Sequence, residues 1–204
     1  MVKVHDVSLP IYEGMPVYKD KSEKQPQFET TTSGHVTESR FTMDAHTGTH
    51  VDAPLHMIED GQTIESVSIH DLVTPIKLFD LTDVQDGITE SDLQNLDIEA
   101  GDFILFKTKN SFDTSFNFEF IFLKESGAKY LAEKAIKGVG IDSLGIERSQ
   151  ADHATHRALF TQDIIIIEGL KLDQVHEGRY QMVAAPLKMQ SIDAAPARII
   201  LMED

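Results

Sequence analysis

The segment His46-Thr47-Gly48-Thr49-His50-Val51-Asp52-Ala53-Pro54-Leu55-His56 places the tightest constraint on this 204-residue chain. Side chains able to bind metals or move protons stand at positions 46, 50, 52 and 56. Histidines four apart also occur in helical metal motifs, but Thr-Gly-Thr between them and Pro54 after them make a helix a poor solution. In an extended chain, residues of equal parity share a face. One face then carries His46, His50, Asp52 and His56. The other carries Thr47, Thr49, Val51 and Ala53, small or β-branched residues that suit a packed strand face. Gly48 leaves room for an ion or ligand against the backbone.

Imidazole nitrogens and carboxylate oxygens are ligand types used by zinc, manganese and iron. A single histidine is ordinarily a surface or satisfied core residue. Four such groups buried together without a cation would leave imidazoles facing one another beside a costly carboxylate. Metal binding is therefore expected, with His46, His50 and Asp52 as ligands that leave coordination positions open. His56, last on the same face, is the candidate acid/base, or else a further ligand.

Composition narrows the remaining classes. Hydrophobic residues make up 41% and charged residues 25%, which is globular rather than disordered. The apolar runs are too short to span a bilayer. Residues 1–10 alternate polar and apolar without a signal-peptide core, so secretion is not expected. The absence of cysteine excludes thiolate zinc sites and disulfides and fits a cytoplasmic protein. A formal charge of −16, with no local Lys/Arg cluster to offset it, argues against nucleic-acid binding.

Along the chain, residues 2–9 read as a strand leading into a Pro/Gly-punctuated loop through Tyr18, and residues 19–34 as a mobile polar excursion. Strands are expected at 36–44, 75–81, 103–108, 138–142, 163–170, 179–189 and 197–202. Thr89, with Asp92 three residues on, marks a capping box opening a short helix to Leu96. Residues 126–137 form an amphipathic helix feeding the strand at 138, and 151–160 a second helix; this helix–strand unit argues for mixed α/β. Phenylalanines at 112, 116, 118, 120 and 122 share even parity and predict one extended aromatic face, for a core, a subunit contact or a substrate wall. Glu168 closes a buried apolar run and needs a partner there.

His-x-Gly-Thr-His-x-Asp-x-Pro-x-His resembles the signature of the cyclase family of metal-dependent hydrolases, which includes bacterial kynurenine formamidases and isatin hydrolases. Further landmarks are the Gly14-Met-Pro16 loop, Ala185-Pro-Leu-Lys188 and Ala195-Pro-Ala-Arg198. The resemblance spans nearly the whole chain in order. It implies a single 1–204 domain, mixed α/β, with a mixed β-sheet or barrel-like core and a few flanking helices, of swivelling β/β/α type. It implies that His156, rather than His153, and Glu168 complete the metal site, with Asp52 able to bridge one or two ions, and that Tyr18 contacts substrate where many members carry Trp. His153 is expected to face solvent. The implied activity is hydrolysis of a non-peptide amide C–N bond by metal-activated water, with N-formylkynurenine or a similar aryl formamide as substrate. Zinc is the expected metal, manganese the alternative, and a homodimer or larger homo-oligomer the expected assembly. The chain has no tryptophan, so an aromatic pocket must come from Tyr and Phe. Opening of a cyclic amide such as isatin, and metal binding without turnover, are the competing readings.

Overall fold

A computed structural model describes residues 2–203; Met1 and Asp204, the ends of the expected 1–204 span, lie outside the described residues. The strands are β1 (Lys3–Asp6), β2 (Gln27–Ser33), β3 (Val36–Thr42), β4 (His50–Asp52), β5 (Val73–Asp80), β6 (Gly87–Ile88), β7 (Phe103–Lys107), β8 (Phe122–Leu123), β9 (Gly138–Ile141), β10 (Ile165–Glu168), β11 (Gly178–Pro186) and β12 (Ala194–Glu203). The helices are α1 (Ile69–Leu72), α2 (Glu90–Leu93), α3 (Glu125–Glu133) and α4 (Ala154–Phe160), with short 3-10 turns between elements.

The main sheet runs β1-β12-β11-β5-β7-β9-β10-β4, and β4 also pairs with β12. That second pairing closes seven strands into a mixed barrel: β5, β7, β9 and β10 run parallel in sequence, and the other pairs are antiparallel. Strand periodicity sorts the apolar residues onto two faces. Val51, Ile76, Leu78, Phe103, Leu105, Ile167, Met182 and Leu201 fill the interior. Ile104, Phe106, Val139, Ile141 and Ile166 point outward and pack with Leu131 of α3 and Leu159 of α4. β9 presents glycine to the interior because the barrel is full there. A Cβ on Gly140 would stand 2.6 Å from Leu105 Cδ2.

The predicted helix and strand sequence is largely present, and Thr89–Asp92 forms the expected capping box, Thr89 N donating to Asp92 Oδ2 at 2.7 Å. Two expectations are corrected. Residues 19–34 are not a polar excursion: β2 and β3 pair over their full length as an exposed hairpin. Alternation in β2 is carried by threonines, so an exposed ribbon read as loop. The aromatic run is not one extended face either. A 3-10 turn and a loop break it, leaving Phe112 and Phe118 exposed while Phe120 and Phe122 are buried.

Candidate active site

β4 is the keystone of the barrel's seam, held between β10 and β12. Only His50–Asp52 is strand; His46 arrives from a turn and His56 ends a 3-10 turn begun at Pro54. The single extended face read from parity is therefore accurate across 50–52 and replaced by turns on either side. The opposite face is packed as expected. Val51 and Ala53 are core residues, and Thr49 donates its hydroxyl to Gly169 O while accepting from Leu9 N at 2.8 Å. Gly48 serves differently from the expectation. A Cβ there would meet Ile11 and Met15 rather than the imidazoles, and its glycine is required by a φ of +67°.

With Val51 pointing inward, His50 and Asp52 point out of the barrel. Register places Glu168, the last residue of β10, opposite His50. α4 lies over this outer face and lowers His156 onto it. His50 Nε2 stands 3.3 Å from both Asp52 Oδ1 and Glu168 Oε2. His156 Nε2 is 3.3 Å from Glu168 Oε1 and 3.7 Å from Asp52 Oδ2, and His46 Nδ1 is 3.0 Å from Asp52 Oδ1. His46, His50, Asp52, His156 and Glu168, which come from three separate parts of the chain, thus meet around Asp52 and His50. His56 packs against His46 with ring centroids 4.1 Å apart and the ring planes tilted by 41°.

The donor set fits a divalent cation. His50 Nε2, His156 Nε2 and both oxygens of Asp52 are buried without a hydrogen-bond partner, an expensive state for polar atoms. His50 Nδ1 faces Gly48 O at 2.9 Å. A carbonyl can only accept, so that nitrogen carries the hydrogen and a neutral ring turns its Nε2 lone pair onto carboxylate oxygens. Only a proton or a metal ion between them makes this arrangement favourable. With protons in that role, burial opposes charge on His50, yet Asp52 and Glu168 raise its pKa to about 10. Burial and the Asp52 charge push Glu168 up, and His156 and His50 overcome both, taking it to about 2. Burial opposes, and Asp52, Glu147 and Glu168 outweigh, on His156, which is raised well above an ordinary histidine. His56 differs. Burial, reinforced by the neighbouring His46, lowers its pKa, so it is neutral near pH 7.

Two acidic residues were not singled out in the sequence. Glu147, buried in the loop after β9, faces His156 Nδ1 at 3.1 Å, accepts from His156 N, and meets His153 Nδ1 at 3.1 Å. No spacing signal marks it. Asp193 touches both His46 and His56; it stands two residues before the Ala195-Pro-Ala-Arg198 landmark. His153 is mostly exposed, as expected, though tethered to Glu147. A cavity of about 280 Å³ opens over the cluster, lined by Tyr18, His56, Met57, Leu144, His153 and His156 among others. Tyr18 is its aromatic wall, backed edge-on by Phe116 and Phe120 at 5.5 and 6.4 Å.

An outward-facing histidine–carboxylate cluster at the seam of a mixed barrel, under a cavity with a neutral histidine at hand, defines a metal-dependent hydrolase. The family model for putative cyclases matches residues 5–148. The chain is 32% identical to kynurenine formamidase of Erythrobacter litoralis over 98% of its own length and 94% of the relative's. It superposes at a TM-score of 0.94 on a predicted metal-dependent hydrolase from Bacillus stearothermophilus, 63% identical over 100% of both chains. Isatin hydrolase A of Labrenzia aggregata shares the fold, with a TM-score of 0.86 at 21% identity over 98% of this chain and 93% of that one. This chain belongs to the cyclase family, and it is an enzyme, an amide hydrolase.

Proposed function

We propose that this enzyme hydrolyses the C–N bond of an aryl formamide, N-formylkynurenine or a close analogue, at a divalent metal site built from His46, His50, Asp52, His156 and Glu168. The observation that carries the proposal is the convergence of buried, unpartnered imidazole nitrogens and carboxylate oxygens beneath the cavity. Zinc suits this nitrogen and oxygen set, with manganese as the alternative. A metal bound there would lower the pKa of water and polarise the substrate carbonyl.

The chain's own groups account for orientation and proton transfer. His56 lines the cavity and is held neutral by burial, so it can take a proton from the attacking water and return it to the departing aniline nitrogen. The products are formate and the free aryl amine. Tyr18 supplies a flat wall for the aryl ring. Burial and the charges of Glu168 and Glu147 raise its pKa, keeping the hydroxyl protonated as a donor. Asp52 and Glu168 hold the imidazoles in register, and Ile146 N donates to Glu168 Oε1 at 2.6 Å to fix that carboxylate.

We further propose a cytoplasmic homo-oligomer acting on a small-molecule amide, with no nucleic-acid partner; the cysteine-free sequence supports the location and the charge of −16 argues against nucleic acid. Among the described residues no helix is long and apolar enough to cross a membrane. Metal analysis paired with a substrate screen tests the activity. At least one equivalent of zinc or manganese and turnover of formanilides above isatin are expected. Less than about a tenth of an equivalent after metal loading would end the metal proposal, and turnover of isatin alone would replace the substrate.

A further inference from the structure

Asp193 joins the two parts of the site that have different jobs. Its Oδ2 atom lies 2.9 Å from His46 Nε2 and 3.3 Å from His56 Nδ1. A carboxylate only accepts, so both of these ring nitrogens carry hydrogen. That leaves His46 Nδ1 as the lone-pair nitrogen, 3.0 Å from Asp52 Oδ1 on the cluster side. It also leaves His56 Nε2 as the nitrogen free to exchange a proton. The two ring centroids lie only 4.1 Å apart, so neither ring turns without disturbing the other.

The backbone under Asp193 is equally constrained. Its carbonyl accepts from Ala53 N at 2.9 Å, and the next residue, Ala194, pairs with Asp52 across β12 and β4. The carboxylate is therefore mounted on the same ladder as the ligand carboxylate, with about 40% of its side chain open to solvent.

We propose that Asp193 is a positioning residue: it sets the Nδ1–H form of His56, aims Nε2 at the substrate, and ties that histidine to the ligand His46. The proposal rests on the roles given above to His46 and His56. It extends to proton transfer the orienting carboxylates that commonly back metal-bound histidines.

The test uses zinc-loaded protein and Asp193→Ala, which removes the one oxygen that accepts from both histidines. At saturating zinc, kcat on a formanilide should fall about 10- to 100-fold with KM changed less than about twofold, and zinc affinity should weaken by about tenfold. In a His56→Ala background, at saturating zinc that offsets the loosened His46, the same substitution should change kcat less than about twofold, because the proton-transfer residue it positions is gone. An equal kcat loss in both backgrounds would overturn the proposal. Imidazole ¹⁵N NMR of the zinc-loaded protein provides an arm without turnover. A protonated Nδ1 on His56, identified by its absence in His56→Ala, is expected in the wild type and should be lost in Asp193→Ala. An unprotonated Nδ1 in the wild type would overturn the assignment even if the substrate proposal stood. Conversely, a wild type inert to every amide would sink the proposed activity while the NMR result still decided the role of Asp193.

Discussion

Asp52 is the single side chain on which the site depends most. It is fully buried and lies within 3.0–3.7 Å of His46, His50 and His156. Asp52→Ala removes the shared oxygens and leaves buried imidazoles facing one another, so metal content and activity should both collapse. His56→Ala should keep most of the metal and lower kcat by about 10²–10⁴, the usual contribution of a placed proton-transfer group. Loss of metal as complete as in Asp52→Ala would make His56 a ligand, and wild-type kcat would remove it from the mechanism. The cluster also has a proton linkage with a definite sign. His50 is raised to about 10, so its proton-held pairing with Asp52 and Glu168 is fully present below the unfolded histidine pKa of about 6.5 and lost as pH rises through about 10. A metal ion must displace that proton. Apparent zinc affinity should therefore rise between about pH 6 and pH 9, by up to tenfold per unit for each proton released. Competition against a chelator of known pH dependence reads this directly; an affinity flat across that range would show that no protonated imidazole is displaced. His46, His50, Asp52 and His56 were legible in the sequence because they share one short segment. Asp193 was not, because its partners lie 147 and 137 residues away; Glu147 was not, because the irregular loop that turns it toward the nearby His153 and His156 carries no periodic signal.

At the scale of the element, the join of β10 to β4 decides whether the site forms. Gly169 follows β10 with a φ of +71°, and a Cβ there would collide with the backbone carbonyl of Gly48. That carbonyl holds His50 Nδ1. Gly169→Ala should lose more than the roughly 1–3 kcal/mol of left-handed strain alone and should weaken metal binding. Gly101→Ala is the control, since Gly101 also has positive φ, at +81°, but nothing within 4 Å of an added Cβ. Urea midpoints that fall equally in the two variants would show that the close approach to Gly48 carries no energy. Elements with a strong local signal were readable, among them the Thr89 capping box and the strand at 103–107. The hairpin's first strand and the broken aromatic run were not. Their local alternation is indifferent to whether a neighbouring strand is present to complete it.

For the whole molecule, exposed aromatic surface lies on the hairpin as well as at Phe112 and Phe118 of the aromatic run. The β2–β3 hairpin is exposed on both strands, and Phe28 and Phe41, 41% and 55% exposed, pack against each other at 6.4 Å. A two-stranded ribbon is only marginally stable in water by itself, and a second copy covering these rings would stabilise it. At least a dimer is expected by light scattering at micromolar concentration, shifted toward monomer in Phe28→Ser/Phe41→Ser. A wild-type monomer would contradict this.

The sequence alone determined the chemistry within reach of one segment: the donor types, their spacing, the exclusion of a helix by Thr-Gly-Thr and Pro54, and the alternation across His50–Asp52. It also determined which runs could be strands or helices, since those preferences act over a few residues. Tertiary structure decided everything that requires two distant segments to meet. Closure of the barrel through β4 and β12 turned His50 and Asp52 outward, register set Glu168 beside His50, and α4 brought His156 down onto them. The same closure placed Asp193 against His46 and His56, across 147 and 137 residues of chain. Contacts of that kind are set by strand pairing and core packing over the whole barrel, which no local pattern encodes.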